Sequence, residues 1–598
     1  MTSPSIIEHN VIRDDEPDGT LRLRSALPLG PVARNTGEWL HRWAVEAPER
    51  AFLMERSGPG WRQITYRETL EQVQALAASM LARGMDGSTP IVVLSGPGID
   101  HGVLQLAAQY IGVPLAPLAE QYSLIPEARS RLVHCVTKLN PKMVYAVDGA
   151  TYGDALALDI FDKADKLVST NVPSGATPFD QMLKGRPDGS LAAAAANVGP
   201  ETLAKILFTS GSTGHPKGVP QSQKMLTVNQ AQYLACMPMF GARPPKVVEW
   251  LPWNHCFAGN STFNLILSNG GTLVLDDGKP VTGLFERTLE NLKMHVGTLS
   301  FNVPIAYTML VEALQKDKHL RQRFFADLDL IFYAGASLPS DVWDALEKMA
   351  REVRGSVPMM TSSWGLTETA PSCLIHHQGG AGPGMIGVPV PELNVKLVPY
   401  QDERYEIRVK GPNVITSYFE EPEKDAASFD DEGFFITSDA VRFVDPQNTS
   451  LGLRFDGRIS EDFKLLTGTW VQAAKLRLEV LAALEGLVHD VVVTGADRHD
   501  VGLLIFPLAD RVPPDQDETC LEDADYLGQV RDRLMPINQS ATGSSNRIGR
   551  ILIMAQPPSV KDGEITAKGS LNISAILSCR ADLLGRLYDD ADDATLKL

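Results

Sequence analysis

Short apolar runs alternate with longer amphipathic patterns along much of this chain. Buried strands are predicted for the apolar runs Ile91–Leu94, Lys205–Phe208, Gly271–Leu275 and Leu328–Tyr333. Between such runs lie patterns with helical periodicity, of which Tyr66–Arg83 and Asp341–Arg351 are clear examples. Strands and helices that alternate in this way are typical of sheets whose faces are covered by helices. The sequence therefore predicts an α/β architecture.

A chain of 598 residues is too long for a single hydrophobic core. We place a domain boundary near residue 458, because the patterns before and after it differ. Glu406–Lys410 and Phe434–Thr437 are predicted strands of a β-rich segment. Later patterns predict strands at Asp490–Thr494 and Gly502–Phe506 and helices at Ala473–Ala483 and Tyr526–Met535. The predicted organisation is an N-terminal extension (1–34), a large domain (35–458) and a small α+β C-terminal domain (459–598).

The acidic composition argues against nucleic acid as a partner. The formal net charge is −18, and the sequence has no basic stripe that could neutralise phosphates. None of the six cysteines stands in a CxxC or similar metal-ligand pair, so we expect free thiols in a reducing compartment. No apolar run is long enough for a membrane span, and the N-terminus lacks a signal-peptide pattern. We therefore expect a cytoplasmic protein.

The predicted strand Lys205–Phe208 leads into a loop of small and hydroxylated residues. The loop reads Thr209-Ser210-Gly211-Ser212-Thr213-Gly214-His215-Pro216-Lys217. Small residues allow the backbone to approach a polyphosphate closely, so that N–H and hydroxyl groups can donate to its oxygens, and Lys217 adds a positive charge. The spacing differs from that of the Walker loop. On its own the loop predicts polyphosphate binding, with a flexible surface loop as the alternative.

The complete string resembles the signature loop of the adenylate-forming (AMP-binding) superfamily of acyl- and aryl-CoA synthetases, luciferases and peptide-synthetase adenylation domains. In that superfamily the loop is mobile and holds the β- and γ-phosphates of ATP. The resemblance covers about residues 35–575. It implies a large N-terminal domain with two α/β sheets and a β-barrel-like part, followed by a small α+β lid. It also implies ATP, Mg²⁺ and the co-substrate coenzyme A.

A strand-to-helix turn at Tyr333–Pro339 resembles the adenine-binding turn of the superfamily. The resemblance implies that Gly335, Ala336 and Ser337 contact the nucleotide.

The string Thr361–Glu368 resembles the aromatic-Gly-x-Thr-Glu motif of the superfamily. The resemblance implies that Trp364 and Gly365 lie at the adenine, that Thr367 contacts the α-phosphate and that Glu368 holds Mg²⁺. A divalent cation is needed because the attack of a carboxylate on a phosphate brings anions together. Thr367 and Glu368 are therefore candidate catalytic residues.

Strings that end in Asp439 and Arg458 resemble the ribose-binding motifs. The resemblance implies that Asp439 accepts hydrogen bonds from the ribose hydroxyls and that Arg458 also reaches the ribose. In the superfamily the small domain swings about a hinge two residues after this arginine. Ser460 stands at that position in place of the usual Asp or Lys.

The segment Gly563–Asn572 resembles the terminal Thr-x-x-Gly-Lys segment of the superfamily, with Ala567 in place of the glycine. The resemblance implies that Lys568 is the catalytic lysine. Its ammonium group can bridge the substrate carboxylate and the ribose or α-phosphate oxygens, which offsets charge in the transition state.

Several segments resemble bacterial feruloyl-CoA synthetases in particular. They are Leu251–Asn260, Asn269–Lys279, Phe463–Trp470 and Gly563–Asn572. In the superfamily the helix after the histidine segment lines the acyl pocket. The candidates to contact an aromatic acid are therefore His255, Phe257, Asn260 and Phe263. For Phe257 and Phe263, packing in the hydrophobic core is the alternative.

The implied reaction has two halves. The acid carboxylate first attacks the α-phosphorus of ATP and forms an acyl-adenylate and pyrophosphate. The small domain then rotates, and the CoA thiolate enters through a tunnel past Gly468 and displaces AMP. The expected partners are an aromatic carboxylic acid, ATP and CoA. We expect no nucleic-acid partner, and whether the chain forms a homodimer stays open.

Other functions remain open at this point. The acid can instead be a benzoate or a fatty acid, and the acceptor can be a separate carrier protein, since the chain ends at Leu598 without room for a fused carrier domain. A catalytically inactive nucleotide-binding protein is a second alternative, although Glu368, Asp439, Arg458 and Lys568 are all retained. A Walker-type NTPase is disfavoured by the spacing of the loop.

Overall fold

The computed structural model describes most of the chain. The described residues are 7–210, 215–281, 283–380, 382, 384–400, 403–508, 511–512, 519–541, 543–559, 562–565 and 571–598, with the side chains of Ser210 and Ser460 left out. None of the helices within these ranges is long and apolar enough to cross a membrane.

A large mixed sheet runs through the N-terminal part of the molecule. Its strands lie in the order β1 (Val11–Asp15), β2 (Leu21–Ser25), β19 (Asn394–Pro399), β20 (Tyr405–Lys410), β21 (Phe435–Phe443), β22 (Leu453–Arg458), β18 (Met385–Pro389), β17 (Ser372–Ile375), β16 (Met359–Gly365), β15 (Leu330–Tyr333) and β14 (Leu299–Asn302). Strands β14, β15 and β16 are parallel, so the turn after β15 and the end of β16 meet at the same edge.

A second sheet carries the predicted phosphate loop at its edge. Its order is β11 (Pro216–Ser222), β10 (Leu203–Ser210), β6 (Leu115–Pro117), β5 (Ile91–Val93), β7 (Met143–Asp148), β8 (Asp165–Thr170) and β9 (Thr177–Pro178). The hairpin β10–β11 is antiparallel, whereas the other neighbours are parallel. A smaller sheet has the order β12 (Lys246–Glu249), β13 (Thr272–Leu275), β3 (Ala51–Ser57) and β4 (Gly60–Thr65).

Helices cover these sheets and fill the space between them. In this part they are α1 (Thr36–Glu46), α2 (Tyr66–Ala82), α3 (Ile99–Tyr110), α4 (Glu120–Leu124), α5 (Arg129–Leu139), α6 (Gly153–Leu156), α7 (Phe179–Met182), α8 (Gly189–Asn197), α9 (Gln223–Cys236), α10 (Met239–Ala242), α11 (Phe263–Ser268), α12 (Phe285–Met294), α13 (Pro304–Lys316), α14 (Lys318–Ala326), α15 (Ser340–Arg354) and α16 (Pro422–Ser428). Helix α2 starts where Thr65 and Glu68 form a capping box. Helix α9 is capped by Ser222, whose hydroxyl accepts from the N–H of Met225 at 3.2 Å.

The C-terminal part has its own hydrophobic core, which includes Val480, Leu503, Val530 and Ile551. Its strands are β23 (Phe463–Lys464) and β24 (Trp470–Val471), which form a hairpin, and the sheet β25 (Val488–Thr494), β26 (Val501–Pro507), β27 (Ile548–Ile553) and β28 (Leu596–Lys597). Its helices are α17 (Ala473–Ala483), α18 (Ala524–Ser540), α19 (Ile573–Cys579) and α20 (Ala581–Leu587). The predicted α/β fold, with a large N-terminal part and a smaller α+β C-terminal part, is confirmed.

The residues predicted as an N-terminal extension take part in the fold. Strand β1 pairs with β2, and β2 pairs with β19 of the large sheet. His9 is buried, and its Nδ1 lies 2.8 Å from the carbonyl oxygen of Ser450. This segment therefore closes one edge of the large sheet.

Candidate active site

The predicted phosphate loop connects the paired strands β10 and β11. Thr209 faces Lys217 across the hairpin, so both ends of the loop are fixed by the sheet. The Oγ1 atom of Thr209 is buried and makes no hydrogen bond to any described residue. Gly211, Ser212, Thr213 and Gly214 lie outside the described residues, as does the side chain of Ser210.

Lys217, Glu368 and Tyr418 meet beside this loop. The Nζ atom of Lys217 lies 3.1 Å from Oε1 of Glu368 and 2.6 Å from the Tyr418 hydroxyl. The Tyr418 hydroxyl in turn donates to Oε1 of Glu368 at 2.9 Å. Burial and the neighbouring Glu368 charge raise the pKa of Tyr418, so this phenol stays a hydrogen-bond donor. A cation and a carboxylate are thus held together where the loop enters β11, a position called the foot of the loop below.

Glu368 is placed by a tight turn at the end of β16. The chain turns through the 3₁₀ helix Thr367–Thr369, and the carbonyl oxygen of Glu368 accepts from the N–H of Ile415 at 2.9 Å. A Cβ atom at Gly365 would come within 1.8 Å of the Pro371 carbonyl oxygen, so only glycine permits this approach. The turn buries Thr367 and Glu368 and directs them to the foot of the phosphate loop.

Trp364, Asp439 and Arg458 form a second polar group at the edge of the large sheet. The Nε1 atom of Trp364 donates to Oδ2 of Asp439 at 3.0 Å, and Asp439 faces Arg458 across strands β21 and β22. The Oδ1 atom of Asp439 lies 3.5 Å from Nε of Arg458 and accepts no hydrogen bond within the described part of the chain. Burial raises the pKa of Asp439 to about 6, against the opposing effect of Arg458. Oδ1 of Asp439 is therefore a buried acceptor whose hydrogen-bonding capacity the described residues do not fill.

The predicted adenine turn lies at the same sheet edge. Gly335, Ala336 and Ser337 follow β15 after Ala334 and are exposed. Because Tyr333 at the end of β15 pairs with Ser362 of β16, the turn lies near the Trp364 end of β16. The structure thus brings the predicted adenine and ribose residues to one edge.

Two of the predicted acid-binding residues, Phe257 and Asn260, lie on a π-helix, Phe257–Thr262, that continues into α11, where Phe263 is the first residue. The Phe257 ring centroid lies 6.1 Å from that of Phe301 and 6.0 Å from that of Phe332. Asn260 is buried, and its Nδ2 donates to Oε1 of Gln221 at 2.9 Å. His255 precedes the π-helix, and its Nδ1 accepts from the N–H of Phe257 at 3.3 Å.

Phe263 packs as a core residue. It is fully buried, and its ring lies edge-on to Phe52 and Trp253, with centroid distances of 5.6 and 4.9 Å. This packing is what the core alternative expects.

Comparisons with known proteins agree with this arrangement. The family model described as "AMP-binding enzyme" matches residues 40–419, and the model of the AMP-binding enzyme C-terminal domain matches residues 462–592. The chain belongs to the AMP-binding enzyme family. The predicted superfamily and the prediction of an enzyme are therefore confirmed.

Several relatives of this AMP-binding enzyme have named activities. Luciferin 4-monooxygenase of Photinus pyralis is 24% identical over 472 residues, which are 74% of this chain and 78% of that protein. Probable 4-coumarate–CoA ligase 3 of Dictyostelium discoideum is 27% identical over 305 residues, or 50% of this chain and 52% of the relative. The crystal structure of an anthranilate CoA ligase with anthranoyl-AMP superposes with a TM-score of 0.72 at 17% identity, covering 93% of this chain and 99% of that chain.

The C-terminal residues of the AMP-binding enzyme are placed only in part. Lys568 lies outside the described residues, whereas Ile565 and Leu571 on either side of it form a β-bridge. Gly468 lies in the turn between β23 and β24, where its N–H donates to the carbonyl oxygen of Leu465 at 2.8 Å. Ser460 lies in the 3₁₀ helix Ile459–Glu461. The roles implied for these residues stay predictions.

Glu368 is the carboxylate predicted to hold Mg²⁺, and its position beside the phosphate loop is compatible with that prediction. Among the described residues, no group of three or more His, Cys, Asp or Glu side chains could hold a metal ion. Mg²⁺ in nucleotide enzymes is commonly bound by one or two carboxylates together with substrate phosphates. A single carboxylate beside a phosphate loop fits that mode.

Sequence patterns did not identify several residues that hold the site together. Tyr418 donates to Glu368, and Gln221 donates to the carbonyl oxygen of Thr367. Lys205 donates to the carbonyl oxygen of Gly259 in the π-helix, and Sγ of Cys256 lies beside the Thr367 hydroxyl. Lys205 sits in an apolar strand pattern, where a lysine is unusual, and this was the available signal.

Proposed function

We propose that this enzyme is an ATP-dependent carboxylate–CoA ligase that acts on an aromatic acid of the hydroxycinnamate type, with ferulate as the leading candidate. The observation that carries the proposal is the cluster of Lys217, Glu368 and Tyr418 at the foot of the phosphate loop. It holds a cation and a carboxylate together beside the loop that we propose binds the ATP triphosphate.

The nucleotide would be held at two places. Asp439 would accept hydrogen bonds from the ribose hydroxyls through Oδ1, which lies at ion-pair distance from Arg458, while Trp364 donates to its other oxygen. Gly335, Ala336, Ser337 and Gly365 would border the adenine. Thr209, Ser210, Gly211, Ser212, Thr213, Gly214 and Lys217 would hold the phosphates, and Thr367 would donate to the α-phosphate.

In the first half-reaction, an oxygen of the acid carboxylate would form a bond to the α-phosphorus, and the bond to the β-phosphate oxygen would break. Pyrophosphate leaves, and the product is a mixed anhydride. Lys217 and Lys568 would offset the negative charge that develops. Glu368 would hold Mg²⁺, which neutralises phosphate charge when it is bound.

In the second half-reaction, the CoA thiolate would attack the acyl carbon, and AMP would leave with the electron pair of the broken anhydride bond. The thiol proton passes to solvent. We propose that residues 459–598 act as a lid that rotates between the two half-reactions about Ser460 and admits the thiol past Gly468. The match of the C-terminal family model from residue 462 supports this division.

The aromatic substrate is supported by the side chains around the π-helix. Phe257 packs with Phe301 and Phe332 in the hydrophobic core, so the region beside the π-helix is rich in aromatic side chains, and His255 and Asn260 supply polar groups. A relative named for 4-coumarate points to the same class of acid. The resemblance to feruloyl-CoA synthetases narrows the class to hydroxycinnamates.

Two assays of the full chain test this proposal. Acid-dependent exchange between pyrophosphate and ATP, with ferulate, 4-coumarate, benzoate and octanoate, reports the first half-reaction. Formation of the CoA thioester reports the second. We expect both, with the highest kcat/KM for a hydroxycinnamate. Exchange without thioester would indicate a carrier-protein acceptor, and nucleotide binding without exchange would indicate an inactive binding protein.

A further inference from the structure

The π-helix Phe257–Thr262 has backbone carbonyl groups that are held by side chains from other elements. The Gly259 carbonyl oxygen accepts from Nζ of Lys205, and the carbonyl oxygens of Asn260 and Ser261 accept from Nε2 of Gln230 at 3.4 and 3.2 Å. π-Helical turns are rare and often occur at functional sites. The wide turn here is therefore stabilised from outside.

Lys205 and Gln221, on the hairpin that carries the phosphate loop, form hydrogen bonds to this helix. They face each other across β10 and β11, and both are fully buried. Oδ1 of Asn260 lies 3.4 Å from Nζ of Lys205, and Nδ2 of Asn260 donates to Oε1 of Gln221 at 2.9 Å. One side chain of the π-helix is thus held by both strands, below the pair Thr209 and Lys217 on the same hairpin.

Gln221 extends the chain of hydrogen bonds to the turn that carries Glu368. Its Nε2 atom donates to the carbonyl oxygen of Thr367 at 3.0 Å. A second contact joins the two segments directly, because Sγ of Cys256, just before the π-helix, lies 3.6 Å from Oγ1 of Thr367. The π-helix, the phosphate hairpin and the Thr367–Thr369 turn are therefore joined by buried polar contacts.

A lysine at this position is costly for stability. Its hydrogen-bond acceptors are neutral oxygens of Gly259 and Asn260, and burial lowers its pKa to about 7. An apolar residue of similar length would fill the same space without this cost. The cost is understandable if the hydrogen bonds fix a geometry that the reaction needs.

We propose that Lys205 and Gln221 are positioning residues for adenylation: through Asn260 and Thr367 they fix the acid-binding π-helix relative to the phosphate loop, so that the carboxylate lies in line with the α-phosphorus. This inference rests on the proposed function, because it assumes that the π-helix carries the acid. Displacements of about 1 Å can reduce rates about 100-fold when reacting groups must be aligned.

Variants that keep side-chain volume test the proposal. Lys205→Met and Gln221→Met remove the hydrogen bonds, and Gln221→Glu keeps an acceptor for Asn260. We expect kcat for pyrophosphate–ATP exchange to fall at least about tenfold in both Met variants, with ATP affinity by calorimetry changed less than about twofold. Gln221→Glu should recover part of the loss. The double Met variant should lose little more than either single variant, since the residues act through one chain.

Gln223→Met is the matched control. Gln223 is equally buried, stands two residues further along and bonds to Thr36 and the Gln109 carbonyl oxygen instead of the π-helix. It should keep the wild-type kcat, even if the variant melts earlier. Three results would overturn the proposal. They are a wild-type kcat in Lys205→Met and Gln221→Met, an equal loss of kcat in Gln223→Met, and single-variant losses of kcat that multiply in the double variant.

A second measurement does not depend on turnover. ATP should slow amide hydrogen exchange in the peptide that contains residues 257–262 in the wild-type chain, and this effect should vanish in Gln221→Met. If ATP binds and leaves exchange in that peptide unchanged, the coupling is refuted. The proposed function would be refuted if no acid supported pyrophosphate–ATP exchange. If ATP still slowed amide hydrogen exchange in the peptide, the coupling between the phosphate hairpin and the π-helix would remain supported.

Discussion

Arg404 and Asp462 form a buried ion pair in which Nη1 of the arginine lies 2.6 Å from Oδ2 of the aspartate. Only 1% of the Arg404 side chain and 2% of the Asp462 side chain are exposed. Arg404 lies just before β20 of the large sheet, whereas Asp462 follows the turn that contains Ser460. The pair therefore anchors the beginning of the C-terminal part to the large sheet.

Replacing Asp462 by Asn should destabilise this anchor. Arg404 would keep its charge in a buried site with Asp456 as its remaining ionic partner, and loss of a charge-assisted hydrogen bond typically costs about 1.5–3 kcal/mol. Urea unfolding at neutral pH should show a loss in that range. Asp532→Asn, which removes an exposed partner of Arg531, should change stability by less than about 1 kcal/mol. Equal small effects in both variants would contradict a buried pair.

Glu368→Gln should raise the Mg²⁺ concentration needed for half-maximal pyrophosphate–ATP exchange and lower kcat about 100-fold, because a neutral amide is a poor Mg²⁺ ligand. Titration of Mg²⁺ at saturating ATP and acid measures both effects. Lys224→Met is the control, since Lys224 pairs with exposed Glu201 outside the site. An unchanged Mg²⁺ response in Glu368→Gln would remove this residue from the metal site.

Nucleotide affinity should weaken in acid because of Asp439. Burial raises its pKa to about 6, so the charged form that accepts from ribose is lost as the pH falls below that value. Adenosine, which has no titrating phosphate, should bind about tenfold more weakly at pH 5 than at pH 7.5 in calorimetry. Asp439→Asn should bind weakly at both pH values. A flat profile for the wild-type chain would contradict the ribose assignment.

The raised pKa of Asp439 also makes the stability of the folded chain depend on pH. The folded chain binds the proton more tightly than the unfolded chain does. The contribution of this group is therefore fully present below its ordinary value of 3.8 and is lost as the pH rises through about 6.

Lys568→Ala should separate the two half-reactions. Adenylation should fall at least about 100-fold, because the variant lacks the ammonium group that offsets transition-state charge. Thiolysis of supplied acyl-adenylate by CoA should largely survive, because the thiolate needs no protein nucleophile. Single-turnover assays of each step measure the split. Normal adenylation in the variant would show that another residue supplies the charge.

Local patterns predicted the regular elements well. The predicted strands correspond to β5, β10, β13 and β15, and the predicted helices Tyr66–Arg83 and Asp341–Arg351 correspond to α2 and α15. These elements are encoded by periodicity and by capping residues close in sequence, such as Thr65 and Glu68. Short-range information was sufficient for them.

The π-helix could not be predicted in this way. Its wider turn depends on contacts far along the chain: Lys205 binds the Gly259 carbonyl oxygen, and a Cβ atom at Gly259 would come within 2.2 Å of the Trp253 carbonyl oxygen. Tyr418 was missed for the same reason, since it meets Lys217 only after the sheets have assembled. Motif residues such as Glu368 and Asp439 were predicted from a family resemblance, which carries long-range information that periodicity lacks.

The pairing of β2 with β19 has a practical consequence for anyone who shortens this protein. The family model begins at residue 40, so a chain cut there would lack β1 and β2 and expose the backbone N–H and C=O groups of Asn394–Pro399. Unpaired edge strands readily recruit strands from other molecules. Strands β1 and β2 thus cover the edge of β19, and we expect a chain that lacks them to aggregate more readily.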